Sequence, residues 1–155
     1  MRRLPALLLA AVLPAALLTS SAVAKPVSEG GVRDLGDRFA LTVPAAEGAP
    51  GYAVEVTKAP FQITTKRGGT VLQTAAATSA TTGPAVFRTQ AGWASATSVQ
   101  SAAWHDGVLD LTVATTAAGD TVSYRIAPSA DRYRATWSVT GPAAATQVGS
   151  QYLTA

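Results

Sequence analysis

The sequence predicts an all-β protein, an antiparallel β-sandwich with a carboxy-terminal four-stranded meander, and two observations carry that expectation. Apolar residues recur at every second position through most of the body, the spacing that places side chains alternately on the two faces of a sheet. Residues that accept a positive φ, chiefly glycine beside aspartate, stand between those runs where hairpins require them. No window offers a competing apolar stripe at helical spacing.

At the amino terminus, Met1-Arg2-Arg3 precedes an uncharged stretch rich in Leu and Ala, Leu4 to Leu18, and then Thr19-Ser20-Ser21-Ala22-Val23-Ala24. This order of basic, apolar and small residues reads as a secretory signal peptide over residues 1–24, cleaved after Ala24. The apolar run is shorter than the roughly 20 residues that span a bilayer and contains Pro5 and Pro14. The expected location is therefore secreted, in the extracellular space, with no stable membrane anchor. The paired arginines raise the twin-arginine export route, but the residues after them lack its fuller pattern and favour general secretion. Residues 25–37, with Pro26 and Gly30-Gly31, read as a leader or linker, and residues 38–155 as the sandwich module.

Six runs alternate within that module. Phe39, Leu41 and Val43 form the first, and Tyr52, Val54 and Val56 the second. Phe61 and Ile63 form the third, and Leu109, Leu111 and Val113 the fourth. Val122, Tyr124 and Ile126 then precede Tyr133, Ala135, Trp137 and Val139. One face of each run is polar, which predicts half-buried antiparallel strands. Turns are expected at Arg67-Gly68-Gly69, His105-Asp106-Gly107, Ala117 to Asp120 and Pro128 to Asp131. The segment Ala96 to Val139 thus reads as a meander, whereas Thr74 to Gly83, rich in Ala, Thr and Ser, reads as a loop. The final residues, Ser150 to Ala155, look like the start of another strand, which suggests a module truncated at its carboxy end.

Composition narrows the function. The chain has 155 residues, enough for one domain with one core, and is 48% hydrophobic and 14% charged, which excludes a disordered charged chain. Its net charge of +3 includes Arg2 and Arg3 of the signal peptide and no basic block, so nucleic acid is not an expected partner. The chain has no cysteine, so no disulfide, thiolate zinc site or cysteine nucleophile is available. Asparagine is likewise missing, and with it any acceptor for an N-linked glycan.

Catalytic chemistry is hard to place. A Ser-His-Asp set needs a histidine oriented by a carboxylate, and the one histidine, His105, sits beside Asp106 in a turn where neighbouring side chains diverge. No G-x-S-x-G elbow is present. The nearest thing to a glycosidase pair is Asp106 with Asp110, but Asp110 is expected on the polar face of its strand, exposed and ionised. A lone histidine and scattered acids make no metal cage, and Lys66-Arg67-Gly68-Gly69-Thr70 leads into a strand rather than the helix that a phosphate loop opens. No catalytic residue, metal or cofactor is expected. Of the three tryptophans, Trp137 is in phase with the core. Trp93, expected in a loop, and Trp104, at a strand end, are the candidate substrate-binding rings.

The stretch Tyr52 to Leu72, with Ala59-Pro60-Phe61 between two strands and Gly68-Gly69 before Val71-Leu72, resembles the amino-terminal, galactose-mutarotase-like β-sandwich of family 31 glycoside hydrolases, the α-glucosidase and α-xylosidase type. The run Trp104 to Val139 looks like the meander of that module, and Gly149 to Ala155 lies where the family chain approaches its active site. The similarity spans Phe39 to Ala155. It implies a non-catalytic module of a secreted retaining α-glycosidase, whose catalytic aspartates sit on a following (β/α)₈ barrel, so none carries over to a residue here. The implied partners are that barrel and, through the parent enzyme, carbohydrate. The alternatives are a free-standing carbohydrate-binding or adhesion domain using Trp93 and Trp104, and a small enzyme using His105, Asp106 and Asp110.

Overall fold

A computed structural model describes residues 31–77, 79, 81–142 and, for the backbone, 147–148. Residues 1–24, read as a signal peptide, residues 25–30 of the stretch read as a leader, and the carboxy-terminal Ser150 to Ala155 lie outside the described residues. Among the described residues there is no helix.

Among the described residues, eleven strands form two antiparallel sheets. The first holds β1 (Val32–Asp34), β2 (Arg38–Val43), β3 (Tyr52–Thr57), β4 (Gln62–Arg67) and β5 (Thr70–Ala76) in chain order. The second holds β6 (Val86–Thr89), β7 (Gly92–His105), β8 (Val108–Thr115), β9 (Thr121–Pro128), β10 (Tyr133–Thr140) and β11 (Gln147–Val148). Its order is β10-β9-β8-β7-β6-β11, so the expected meander is present with β6 and β11 added beyond it.

Alternation produces the core. In β3 every second residue from Tyr52 is buried, and in β8 and β9 Leu109, Leu111, Val113, Val122, Tyr124 and Ile126 are buried while their neighbours are not. These faces meet between the sheets in one cluster that also takes Phe39, Leu41, Ile63 and Phe87. Phe61 and Tyr124 cross the interface with ring centroids 5.3 Å apart in an edge-to-face arrangement. Each such apolar side chain contributes roughly 1.5–3 kcal/mol on burial, and with no disulfide available this packing holds the fold.

The two flanks of the sandwich differ. On one, the β3–β4 connection reaches across to β7: Phe61 N–H donates to the Thr97 carbonyl and Val99 N–H to the Lys58 carbonyl, each at 2.8 Å. On the other, β10 keeps its inward residues Tyr133, Ala135, Trp137 and Val139 only half-buried, because the first sheet does not fully cover that edge strand.

β7 is the longest strand. Gly92 to Ser95 pairs with β6, and Ala96 to His105 pairs with β8 on the other side. Two register shifts, between Ala96 and Ser98 and between Val99 and Ser101, each put an extra residue on β7. Beyond Val99 no described strand pairs with β7 on the side away from β8, and Gln100 to Ala103 are exposed on both faces.

Three local expectations shift. Val32–Asp34, inside the stretch read as a leader, forms edge strand β1 on β2, where Lys58 holds Asp34 at 2.7 Å. β5 runs through Ala76, which shortens the loop expected from Thr74. Trp93, expected in a loop, is the second residue of β7, because Gln90-Ala91 closes a tight hairpin and Gly92, with φ of 129°, already pairs with Thr89.

Candidate functional site

The residues singled out by sequence occupy separate places. Trp93 is 36% exposed near the start of β7, and Trp104 is half-buried against the core near its end. Eleven residue steps of strand separate them, about 35 Å at the usual rise, so each ring would meet a ligand alone. Trp137 packs against the core from β10, as its phase predicts.

His105 is the last residue of β7, and the turn after it is made by Asp106 and Gly107, with φ of 50° and 75°. The register then sets Asp110 on the outer face beside Arg125. His105 Nε2 lies 3.0 Å from Asp110 Oδ2, and Arg125 Nε lies 3.3 Å from Oδ1. Both carboxylate oxygens thus face cationic or imidazole nitrogens at a solvated surface. A carboxyl group engaged on both oxygens suits neither the acid nor the free nucleophile that glycoside hydrolysis requires. The row behind it, Ser101, Thr112, Ser123 and Ser138, continues the same polar outer face. Among the described residues no cluster of three or more His, Asp or Glu side chains could hold a metal ion.

A second site was not anticipated from sequence. On the incompletely covered flank, β4–β5 and β9–β10 splay apart around a cleft of about 370 Å³. Its floor is apolar, with Ile63, Ala75 and Tyr124, and its rim carries Arg67, Asp131, Arg132 and Tyr133. The pairing of β4 with β5 slips between Thr65 and Lys66, opposite Gln73 and Val71, leaving Leu72 as an extra residue on β5. Such a bulge bends its strand and re-aims side chains, and Leu72 and Gln73 both line the cleft. Thr65, 8% exposed, also lines it, and its hydroxyl has no hydrogen-bond partner among the described residues.

Tyr52 closes one end of the cleft. Its hydroxyl donates toward the carbonyl oxygens of Ser129, at 2.7 Å, and Arg132, and accepts weakly from Ser129 N–H at 3.3 Å. Burial pushes this phenol up to about 12, opposed by the Ser129 backbone contact. On the rim, hydrogen bonds from Arg132 hold the Asp131 carboxyl below its ordinary value, and the same pairing raises Arg132.

Residues 46–155, which include β3 to β11, the cleft and the meander, match the family model described as the myogenesis-regulating glycosidase N-terminal domain. The chain belongs to this family. No curated protein and no solved structure matches the chain. The resemblance seen in sequence was to the amino-terminal sandwich of one class of glycosidase, and the family agrees with it at the coarser level of a glycosidase-associated amino-terminal domain in an all-β fold. The family match begins before β3, so β1 and β2 lie on its amino-terminal side.

Proposed function

We propose that this chain is the non-catalytic amino-terminal β-sandwich module of a secreted α-glycoside hydrolase of family 31 type, supporting a catalytic barrel and shaping the entrance for its carbohydrate substrate. The match over residues 46–155 to a glycosidase amino-terminal domain carries the reading. The engaged, solvated state of Asp110 supports the non-catalytic part of it. In such an enzyme the sandwich acts by docking, and the barrel carries the two carboxyl groups that do the chemistry.

The purified chain is expected to release no nitrophenol from chromogenic α-glycosides. Turnover that disappears in His105→Ala would overturn the reading in favour of a small stand-alone enzyme. A barrel encoded beside this chain should lose activity or stability when expressed without it. Secretion is tested separately: the exported protein should begin at Lys25, and retention of the full chain inside the cell contradicts it.

A further inference from the structure

We infer that the cleft between β4–β5 and β9–β10 binds a single hexose-sized sugar ring. Its volume of about 370 Å³ lies near the lower end of the roughly 300–1,000 Å³ found for small-molecule sites. That leaves room for one ring and not for a chain.

Three observations point to a polyol. Thr65 carries a buried hydroxyl without a hydrogen-bond partner among the described residues, on the wall of the cleft; native structures keep few such groups, and those they keep tend to have a use. Gln73 is the direct cross-strand partner of Thr65 and so stands on the same wall, supplying an amide that both donates and accepts. Arg67 adds a planar guanidinium at the rim, suited to two neighbouring oxygens of one ring. Opposite these groups Tyr133 and the apolar floor offer surface for the carbon face of a ring. Asp131 and Arg132 pair with each other at 2.8 Å, so Arg67 is the rim cation without a carboxylate in ion-pair reach among the described residues. One ring, neutral or bearing a single carboxylate, satisfies this set. The choice of a sugar over other polyols rests on the glycosidase-module reading above.

The test is titration of the full isotope-labelled chain with methyl α-glucoside, with glucuronic acid and with glycerol, followed by amide chemical shifts. Saturable shifts are expected in β4, β5 and the β9–β10 turn for at least one ring, and the more effective ring tells whether Arg67 reads hydroxyls or a carboxylate. Thr65→Val, which keeps shape and loses the hydroxyl, and Gln73→Ala should each weaken binding about tenfold. Trp93→Ala should bind as the unaltered chain does, and Thr65→Ser, which keeps the hydroxyl, should bind more tightly than Thr65→Val. Absence of saturation with both rings, equal saturation by glycerol, or affinity unchanged in both Thr65→Val and Gln73→Ala overturns the inference. The module reading fails on a different result, turnover of a glycoside by the chain alone, so the two failures are distinguishable.

Discussion

The hydroxyl of Tyr52, carried by the five-stranded sheet, lies 2.7 Å from the backbone carbonyl oxygen of Ser129 in the β9–β10 turn of the other sheet. One side chain thereby ties the two layers together at the end of the cleft. Tyr52→Phe keeps the ring and removes the tie, taking the phenol donor from the Ser129 carbonyl, while the Arg132 carbonyl keeps the Ser129 N–H and hydroxyl. A loss of about 1–2 kcal/mol is expected, read as a lower urea midpoint with unchanged slope.

The same phenol gives an alkaline limb to stability. Its value rises to about 12 in the folded chain, against about 10 for an unfolded tyrosine. The folded state therefore holds this proton more tightly, so the contribution is complete below pH 10 and is lost as pH climbs toward 12. The difference in midpoint between the unaltered chain and Tyr52→Phe should shrink across that interval.

Phe61 joins the layers twice, through its ring against Tyr124 and through its backbone N–H to Thr97. Being 1% exposed, it leaves a cavity when truncated, so Phe61→Ala should cost about 3–5 kcal/mol. Phe61→Leu, closer in volume, should cost distinctly less. Equal losses in the two variants would show that the ring itself, and not its volume, is what the site requires.

Gly141 follows β10 with a φ of 148°, and a Cβ there would stand 2.2 Å from Asp120 Oδ1 and 2.8 Å from the Gly119 carbonyl oxygen. The β8–β9 turn therefore packs directly on this backbone. Gly141→Ala must displace the turn and should destabilise by about 2 kcal/mol or more, measured by thermal unfolding.

His105 sits on the outer face with its side chain 52% exposed, and its partner Asp110 keeps Arg125. His105→Ala should alter stability by no more than about 0.5 kcal/mol. A larger loss in denaturant titration would mean that this surface group is structural.

Period two was informative wherever a strand buried one face fully. β2, β3, β8 and β9 follow it without exception at their apolar positions, and their turns carry the residues that hairpins need. β6 escaped notice because it has four residues, and Val86 and Phe87 are both buried in succession, which erases alternation. β1 escaped because three residues cannot establish a period; its place comes from pairing with β2. The cleft was illegible for a different reason. Thr65 and Gln73 are ordinary polar residues in sequence, and only the pairing of β4 with β5 and the partial cover over β10 give them a shared wall. His105, Asp106 and Asp110 could be placed around one hairpin from sequence, but the approach of Arg125 required the pairing of β8 with β9.

The two extra residues in β7 bear on how copies of the chain meet one another. Among the described residues nothing pairs with this strand past Val99 on the side away from β8, and a flat open edge of that kind seeds fibrils. The irregularities at Ala96/Ser98 and Val99/Ser101 bend this border and break the even spacing that stacking needs. A chain without a single cysteine thus carries, in its backbone, a guard against endless lateral growth.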